Sequence, residues 1–432
     1  MTRQDATNSD AQDKLAPRIH SPDRSLVEDP KTIDELIPPD HKARLVWALV
    51  EDLDLTALYQ RIKSVEGHAG RPATDPRVLV TLWLYATDEH VASAHELARR
   101  CSDCDPYKWI CGGVCVNYHT LADFRVEHAE WLREQVVSHI AAMRSENLAS
   151  LDTVGQDGMR VRANAGNDSF QKAEKLGQLL DDTEQQWDQL QEEFERTEQL
   201  SLRQGAARQR AVRERIERIK QAQKEVKQVA AQREKRKKGD GKTARASTTD
   251  PEARRMKMGD GGYRPAYNVE LATDLDSLVI VGADVVNAGA DSGQMELMVQ
   301  HIEAEQSPLP QDAEYYVDGG FATKDDIQSV GQRGVTVYAP VKEVARQQRE
   351  GKNPYSRRRG DKEQVIGWRA RMATPEAHQK YKQRSKTEFP NATCRNRGLH
   401  QFLVRGLEKV KTTVMWYVLT HNLFRMVALR AE

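Results

Sequence analysis

The chain has 432 residues, of which 38% are hydrophobic and 30% charged, and its 65 Lys and Arg balance 65 Asp and Glu. This length is enough for two or three domains with a sizeable buried core. No apolar run approaches the roughly 18 residues that span a membrane, and the polar N-terminal stretch does not contain the apolar segment of a secretion signal, so we expect a cytoplasmic protein.

Residues 1–40 are predicted to be a mobile leader. They contain few large apolar side chains and five prolines, at positions 17, 22, 30, 38 and 39. A segment of this composition buries too little apolar surface to offset the entropy lost on ordering. We therefore expect the folded part of the chain to begin near Asp40.

Helical spacing of apolar residues begins after the leader. Leu45, Leu49 and Leu53 recur at intervals of four residues, and Asp75 followed by Pro76 is typical of a helix N-cap and first helical position before an apolar run. Similar patterns continue beyond Trp131. The sequence therefore predicts an all-helical domain over residues 41–147.

A cluster of potential metal ligands lies in this helical region. Four of the five cysteines fall within fifteen residues, with a histidine on each side: Cys101, Cys104, Cys111 and Cys115, flanked by His95 and His119. Their spacing does not fit a zinc finger or a zinc ribbon. Because cysteine is also a common small core residue, both a zinc site and ordinary helix packing remain open, and packing is favoured.

Strand-like runs follow the helices. The candidate strands are residues 151–161, 267–274, 278–286, 314–317 and 335–341, with a helix at 324–331 before the last strand. We expect Gly158 to interrupt the first strand, and Asp276-Ser277 to turn a hairpin between the second and third strands.

A charged segment, residues 170–248, separates the first two strands. Residues 172–200 hold nine acids against three bases, and residues 207–238 hold thirteen bases against four acids. Apolar residues recur in both halves at steps of three and four: Leu176, Leu180, Trp187, Leu190, Ile216, Ile219 and Val226. With a turn at 201–206, this pattern predicts an antiparallel coiled-coil hairpin. Three roles are open: a solvated spacer, a dimerisation arm, or an arm that reaches DNA through its basic end at 233–238.

Three acidic residues are candidates for one metal site. Asp157 lies in the first strand, Asp318 follows a buried strand and precedes two glycines, and Glu388 lies on a predicted helix. A carboxylate in the position of Asp318 is partly desolvated, and the glycines leave room for a ligand. The alternative is an ordinary turn aspartate whose side chain binds local amides.

The C-terminal part of the chain resembles a known family. Tyr381, Arg384 and Glu388 have the spacing Y-x2-R-x3-E, and this signature is similar to that of the DDE transposases of bacterial insertion sequences, in the group with a helical N-terminal domain. Residues 156–165 resemble the first-aspartate strand of that family, and Asp318-Gly319-Gly320-Phe321 resembles the second. The resemblance spans about residues 40–428, with further matches at residues 70–72, 124–125, 250–254, 267–269, 405–410 and 421–423.

The resemblance implies a ribonuclease H-like α/β catalytic core with a five-stranded mixed sheet. Residues 148–169 and 249–432 would form this core, next to the helical N-terminal domain and around the inserted coiled-coil hairpin of residues 170–248. It further implies that three acids are catalytic and bind two Mg²⁺ or Mn²⁺ ions for phosphoryl transfer: Asp157, Asp318 and Glu388.

Three residues of the signature region would then contact DNA. Arg384 would bind a phosphate near the metal ions, and Tyr381 would pack against a nucleotide. Arg395 stands where the family commonly has lysine, and it keeps the positive charge. A second departure is Glu270, which stands where related proteins often carry glutamine.

A basic stretch, residues 346–371, holds nine bases against three acids. It includes the triplet Arg357, Arg358 and Arg359, which suits contact with a phosphate backbone. A solvated surface loop is the alternative. Its place between the last strand and the Glu388 helix predicts a position beside the active site.

These observations favour a transposase that binds the terminal inverted repeats of its element and cleaves and joins DNA, as a homodimer or larger assembly. By analogy with the family, residues 41–147 would serve DNA binding or assembly. Two alternatives are a catalytically inactive, transposase-derived DNA-binding protein and a coiled-coil interaction scaffold.

Overall fold

The computed structural model describes residues 32–63, 72–196 and 202–432. Residues 1–31 of the predicted leader therefore lie outside the described residues. Its last residues contact the helices: Ile37 is buried, and the carboxylate of Asp34 accepts hydrogen bonds from Arg44 Nη1 at 2.9 Å and from Trp109 Nε1 at 3.1 Å. Contacts between this segment and the helical region thus begin before Asp40.

The predicted helical region is confirmed, and none of its described residues is in a strand. Its third helix begins where the sequence predicted, since the side chain of Asp75 accepts a hydrogen bond from the backbone N–H of Arg77 at 2.8 Å and Pro76 is the first residue. The helices are α1 (Lys42–Glu51), α2 (Thr56–Gln60), α3 (Pro76–Asp88), α4 (Ala94–Asp103), α5 (Asp105–Cys111), α6 (Tyr118–Glu127) and α7 (Ala129–Ser145).

A mixed sheet forms the centre of the remaining chain. Its strands are β1 (Thr153–Arg162), β4 (Arg254–Lys257), β5 (Tyr263–Asp274), β6 (Ile280–Val286), β7 (Glu314–Tyr316) and β8 (Thr336–Tyr338). β5 is antiparallel to β1 and β6, while β7 is parallel to β1 and to β8. The order β6-β5-β1-β7-β8, with β4 added beside the start of β5, is a ribonuclease H-like core, as the sequence predicted.

The expected interruption of β1 at Gly158 is wrong. Gly158 pairs with Glu270 inside a continuous ladder between β1 and β5. A Cβ atom at position 158 would lie 3.1 Å from both Asn268 Oδ1 and Glu270 Oε1. The glycine therefore makes room for two polar side chains of the neighbouring strand and does not end the strand.

The inserted segment forms two long helices, α8 (Ala173–Arg196) and α9 (Leu202–Arg236), above a short ladder of β2 (Phe170–Gln171) and β3 (Ala246–Ser247). The helices pack antiparallel: Leu176 lies in one buried cluster with Val226, and Glu184, further along α8, pairs with Lys220 of α9 at 2.8 Å. The buried cluster contains Leu176, Ile219 and Val226 of the predicted seam, with Leu180 packed against it. The other three predicted seam residues are only partly buried and lie outside this cluster: Trp187, Leu190 and Ile216. The turn predicted at 201–206 is misplaced, because residues 202–206 are already helical and residue 201 lies outside the described residues.

The C-terminal half contributes the helices α10 (Gln294–Glu305), α11 (Lys324–Gln332), α12 (Val344–Arg349), α13 (Glu363–Arg371), α14 (Pro375–Tyr381), α15 (Glu388–Asn396) and α16 (Leu407–Ala431). The sequence had not predicted α10. This helix begins after Gly293, which has a φ of 84° and no side chain that could cap the helix, so the usual start signal is absent. No helix in the described ranges has both the length and the apolar composition needed to cross a bilayer.

Helix α16 joins the two halves of the described chain. It packs against α3, α6 and α7 on one side and against β6 on the other. Trp416 Nε1 donates a hydrogen bond to the carbonyl of Arg125 at 3.0 Å, and the amide of Asn422 hydrogen-bonds with both backbone groups of Ile280, at 2.8 and 3.0 Å. The helical region and the sheet consequently share one buried core.

The cysteines of the helical region are spread over two helices and the loop that follows. Cys111 is buried, Cys101 and Cys104 are partly buried, and Cys115 is exposed. His95 and His119 lie against the ring of Tyr118, at centroid distances of 3.8 and 3.9 Å. Within the described part of the chain, no group of three or more Cys, His, Asp or Glu is arranged to hold one metal ion.

Candidate active site

Asp157 lies in the middle of the central strand β1 with its carboxylate held by three donors. Oδ1 accepts hydrogen bonds from Arg384 Nη2 at 2.9 Å and from the backbone N–H of Gly158 at 3.0 Å, and Oδ2 accepts one from Asn391 Nδ2 at 3.1 Å. Burial raises the pKa of Asp157, and the negative charge of Asp318 acts in the same direction, while Arg384 opposes both. The site therefore favours a positive charge near this carboxylate.

Asp318 follows β7, the strand next to β1, as the sequence predicted. Its Oδ1 accepts a hydrogen bond from the backbone N–H of Gly320 at 2.5 Å. A Cβ atom on Gly320 would lie 2.8 Å from this oxygen and 3.1 Å from Oδ2 of Asp291. The glycine therefore keeps open the space between two carboxylates, one of which the sequence analysis did not identify.

Tyr381, Arg384 and Glu388 do not lie on one continuous α-helix. Tyr381 ends α14, residues Lys382–Thr387 form a 3-10 helix, and Glu388 begins α15. The three side chains nevertheless reach neighbouring places. Tyr381 donates a hydrogen bond to the carbonyl of Val317 at 3.2 Å, next to Asp318.

Arg384 bridges two of the three predicted catalytic acids. Its Nη1 lies 3.5 Å from Oε1 of Glu388, and its Nη2 holds Asp157. The side chain of Glu388 is 68% exposed, whereas those of Asp157 and Arg384 are each 19% exposed. The negative charge of Asp318 thus acts on Asp157, and the guanidinium of Arg384 links Asp157 to Glu388.

Asn391 is a site residue that the sequence analysis missed. It lies on α15 one turn after Glu388, and its Oδ1 is buried without a hydrogen-bond partner among the described residues. A buried amide oxygen on a residue that contacts Asp157 is of the ligand type that Mg²⁺ and Mn²⁺ prefer, although no three Cys, His, Asp or Glu of the described residues are arranged to hold one metal ion. The spacing of three residues after Glu388 was the only signal available in the sequence.

The glycine at position 155 lets the 3-10 helix approach β1. A Cβ atom here would lie 2.4 Å from Thr387 Cγ2 and 2.7 Å from Leu275 Cδ2, both closer than van der Waals contact allows. Thr387 is buried and directly precedes Glu388. The close approach therefore fixes the distance between β1 and the segment that carries Arg384 and Glu388.

A buried polar network backs the site. Glu270 accepts hydrogen bonds from Gln156 Nε2 at 3.0 Å and from Asn268 Nδ2 at 2.6 Å, and Asn268 also donates to Asp291 at 3.2 Å. Tyr315 donates to Gln156 at 2.9 Å. Burial raises the pKa of Glu270 to about 8, and the charges of nearby acids, Asp291 first, act in the same direction. Glu270 is therefore largely protonated at neutral pH.

The remaining predicted DNA contacts lie on exposed surface. Arg395 is an exposed residue of α15, seven positions after Glu388. Arg357 and Arg359 are exposed and form no ion pair within the described part of the chain, whereas Arg358 is anchored by hydrogen bonds from its side chain to Gln347 and from its backbone N–H to Asp361. Only two of the three arginines of this loop are thus free to meet a ligand.

Family comparisons agree with this architecture. Residues 31–127 match the family described as a transposase domain (DUF772), and residues 239–423 match the transposase DDE domain. No curated protein and no solved structure matches the chain. Both family matches are to transposases. They cover most of the helical region and every strand of the mixed sheet except β1, and they are consistent with a DDE transposase of an insertion sequence.

Two points follow from the family match. DDE transposases generally use divalent metal ions and act on DNA. Asp318 and Glu388 lie within the matched DDE range, but Asp157 lies outside both matched ranges. The assignment of Asp157 therefore depends on its position in β1 beside Asp318.

Replacing Gly155 with alanine is expected to destabilise the fold by about 1–3 kcal/mol, because the added methyl group overlaps Thr387 and Leu275. The second substitution Thr387→Ser removes the methyl group of Thr387 and should restore part of this stability. Urea unfolding measures both. Gly177→Ala in α8, where a Cβ atom would meet no atom within 4 Å, is the matched control and should be neutral or stabilising. Equal effects at positions 155 and 177 would contradict the close approach.

Glu270→Gln should make stability less dependent on pH. The raised pKa means that the folded state keeps a proton that the unfolded state releases, so Glu270 lowers stability progressively between about pH 4.5 and pH 8. The variant should not show this slope. The difference in unfolding free energy between the variant and the wild type should therefore be about 3 kcal/mol more in favour of the variant at pH 8 than at pH 5. Unfolding free energies at both pH values measure this, with exposed Asp260→Asn as the control. Parallel pH profiles would show that Glu270 is ionised in the folded protein.

Proposed function

We propose that this transposase binds the terminal inverted repeats of an insertion sequence and catalyses metal-dependent cleavage and strand transfer, as a homodimer or higher assembly. The observation that carries the proposal is the position of Asp157 in β1 and of Asp318 just after the neighbouring parallel strand β7, with Arg384 bonded to Asp157 and in contact with Glu388. The match to the DDE domain supports the same conclusion.

In this proposal the carboxylates of Asp157, Asp318 and Glu388 hold two Mg²⁺ or Mn²⁺ ions. Oδ1 of Asn391, which has no hydrogen-bond partner among the described residues, is a further candidate ligand. When bound, such ions activate a water or 3′-hydroxyl and stabilise the leaving oxygen in an in-line displacement at phosphorus. The protein needs no covalent intermediate for this chemistry. The protein itself holds Asp157 in the middle of β1 and Asp318 just after the end of the neighbouring strand β7.

Arg384 would act as an exchangeable partner of Asp157. Its guanidinium now neutralises a carboxylate that burial disfavours as an anion. A DNA phosphate offers the same guanidinium a bidentate partner, which is a favourable geometry for arginine. Movement of Arg384 from Asp157 to a phosphate would release the carboxylate for a metal ion as DNA binds.

Tyr381 and Arg395 would serve DNA in different ways. Because the hydroxyl of Tyr381 is bonded to Val317, this side chain would hold the end of β7, and its ring is half-buried and partly open to a nucleotide. Arg395 would meet the backbone from the exposed side of α15. A catalytically inactive DNA-binding relative remains the second candidate, since Glu388 is mostly exposed and Arg395 replaces the usual lysine.

Loss of any one catalytic acid should abolish strand cleavage and leave DNA binding largely intact. Asp157→Asn, Asp318→Asn and Glu388→Gln are each expected to lower the cleavage rate at least a hundredfold, equivalent to about 2.7 kcal/mol of transition-state stabilisation. Cleavage of end-sequence DNA with Mg²⁺ or Mn²⁺ and gel-shift binding measure the two effects. Exposed Asp325→Asn is the control. Cleavage by Asp318→Asn at more than about a tenth of the wild-type rate would contradict the assignment.

The basic loop should contribute to DNA affinity through Arg357 and Arg359. The double variant Arg357→Gln, Arg359→Gln should lower the slope of log K against log salt by about one for each phosphate that these arginines neutralise in the wild type. Arg358→Gln should instead lower stability, because its side chain anchors the loop. Fluorescence anisotropy over a salt series and urea unfolding separate these effects. An unchanged slope in the double variant would favour the solvated-loop interpretation.

A further inference from the structure

A cavity of about 280 Å³ lies at the root of the inserted hairpin, away from the three catalytic acids. Three arginines line it, from two separate parts of the chain: Arg215 and Arg218 on α9, and Arg405 just before α16. The hydroxyl residues Thr248 and Thr249, between β3 and β4, line the same cavity. The hairpin and the catalytic core thus both contribute to its walls.

The positive charge of this cavity is poorly neutralised by the protein. Neither Arg215 nor Arg405 forms an ion pair with any described residue, and Arg218 has only a 3.7 Å contact with Glu214 on its own helix. Arg405 uses its Nε to donate to the carbonyl of Asn164 at 3.2 Å, which leaves its two terminal nitrogens unused. Three guanidiniums that line one cavity repel each other unless an anion lies between them.

The charge of Arg405 acts on the buried acid Asp250, but the two side chains form no hydrogen bond with each other. Asp250 Oδ1 accepts hydrogen bonds from the hydroxyl of Tyr267 at 2.7 Å and from the backbone N–H of Gly406 at 3.2 Å. Its Oδ2 is buried without a hydrogen-bond partner among the described residues, so it does not bind Arg405. The cavity therefore offers guanidinium donors and the hydroxyl of Thr249 to a ligand from outside, whereas the hydroxyl of Thr248 donates to the carbonyl of Ser169 at 3.4 Å.

The walls of the cavity are held in place by buried contacts. Ile219, next to Arg218, belongs to the buried cluster between α8 and α9. Six residues further along α9, Glu225 pairs with Arg254 of β4 at 2.5 Å, and both side chains are at most 15% exposed. A buried ion pair of this kind fixes the position of α9 relative to the sheet. The arginines therefore meet across a defined gap.

We propose that this cavity binds a backbone phosphate of the DNA on which the transposase acts. Planar guanidiniums and hydroxyls are the donors that match phosphate oxygens, and a tetrahedral dianion or diester fits among three arginines better than a carboxylate of the protein. The proposal rests on the proposed function and extends it to the hairpin. A phosphate held here ties the hairpin and the core to the same DNA, so the inserted segment is a DNA clamp and not a spacer.

The test compares two double variants of α9 that remove the same charge. Arg215→Gln, Arg218→Gln changes the cavity, and Arg208→Gln, Arg210→Gln changes two exposed arginines without ion pairs among the described residues of the same helix. Affinity for a short fluorescent DNA duplex is measured by anisotropy over a salt series. We expect the cavity variant to lower the slope of log K against log salt by about one to two, and the control variant to lower it by less than half as much.

Equal slopes for the two variants would overturn the proposal, because the effect would then be general electrostatics of a basic helix. Equal unfolding midpoints of the wild type and the cavity variant in urea are required for the comparison. If the midpoints differ, Arg405→Lys replaces the double variant, since lysine keeps the charge but not the planar fork, and unchanged affinity would then overturn the proposal.

A second measurement separates DNA from a free anion. Inorganic phosphate is added at constant ionic strength, with chloride as the matched salt. We expect phosphate to raise the melting temperature of the wild type no more than chloride does. Stabilisation by millimolar phosphate that is absent from the cavity variant would identify a small-anion site and overturn the assignment to DNA.

The binding test does not depend on catalysis. Asp318→Asn, which should not cleave, is expected to show the wild-type salt slope. If the wild-type chain binds DNA through the cavity but does not cleave it, the proposed function is contradicted and the proposal for the cavity is still supported. The reverse result, cleavage without any cavity effect, would overturn the clamp alone.

Discussion

The ion pair between Asp157 and Arg384 is the interaction on which the candidate site depends. Both side chains are only 19% exposed, and a charge taken out of water costs several kcal/mol unless an opposite charge compensates it. The pair exists because Gly155 lets the 3-10 helix touch β1. The position of this ion pair beside β1 therefore depends on the close contact at Gly155, which itself involves no charged group.

The same pair occupies the candidate acids of the site, and no three Cys, His, Asp or Glu of the described residues are arranged to hold one metal ion. Arg384 takes up one oxygen of Asp157 and lies beside Glu388, and Asn391 takes up the other oxygen of Asp157. Any cation that binds Asp157 competes with these two donors. The positive charge of Arg384 thus offsets part of the negative charge of the site, which reduces the repulsion between its carboxylates when no ligand is bound.

Local patterns predicted much of the fold and only part of the site. The sequence predicted the strands, the capped start of α3 and the apolar spacing that includes Leu176 and Val226. Each of these patterns depends on residues only a few positions apart. The signature segment changes from α14 to a 3-10 helix and then to α15 where Thr387 closely approaches Gly155, and no local pattern reveals this contact. Asn391 and Asp291 were missed for the same reason, since only the folded sheet brings them to the acids.

Glycine was the least predictable residue type. Gly158 was expected to end a strand, but its missing side chain serves Asn268 and Glu270 on the neighbouring strand. Gly293 starts α10 without a capping side chain, and the helix was overlooked. In both cases the effect of the glycine is decided by residues that are distant in sequence, which is why spacing rules alone gave the wrong or no answer.

Helix α16 has a consequence for the order in which the chain can fold. Trp416 hydrogen-bonds to Arg125, 291 positions earlier, and Asn422 satisfies the backbone of Ile280, 142 positions earlier. Contacts over such separations form late, because a long loop has to close first. During synthesis, α3, α7 and β6 therefore emerge well before the helix that covers them. A ribosome must add more than a hundred residues after β6 before this core can close, and until then the apolar surface that α16 covers stays exposed on the growing chain.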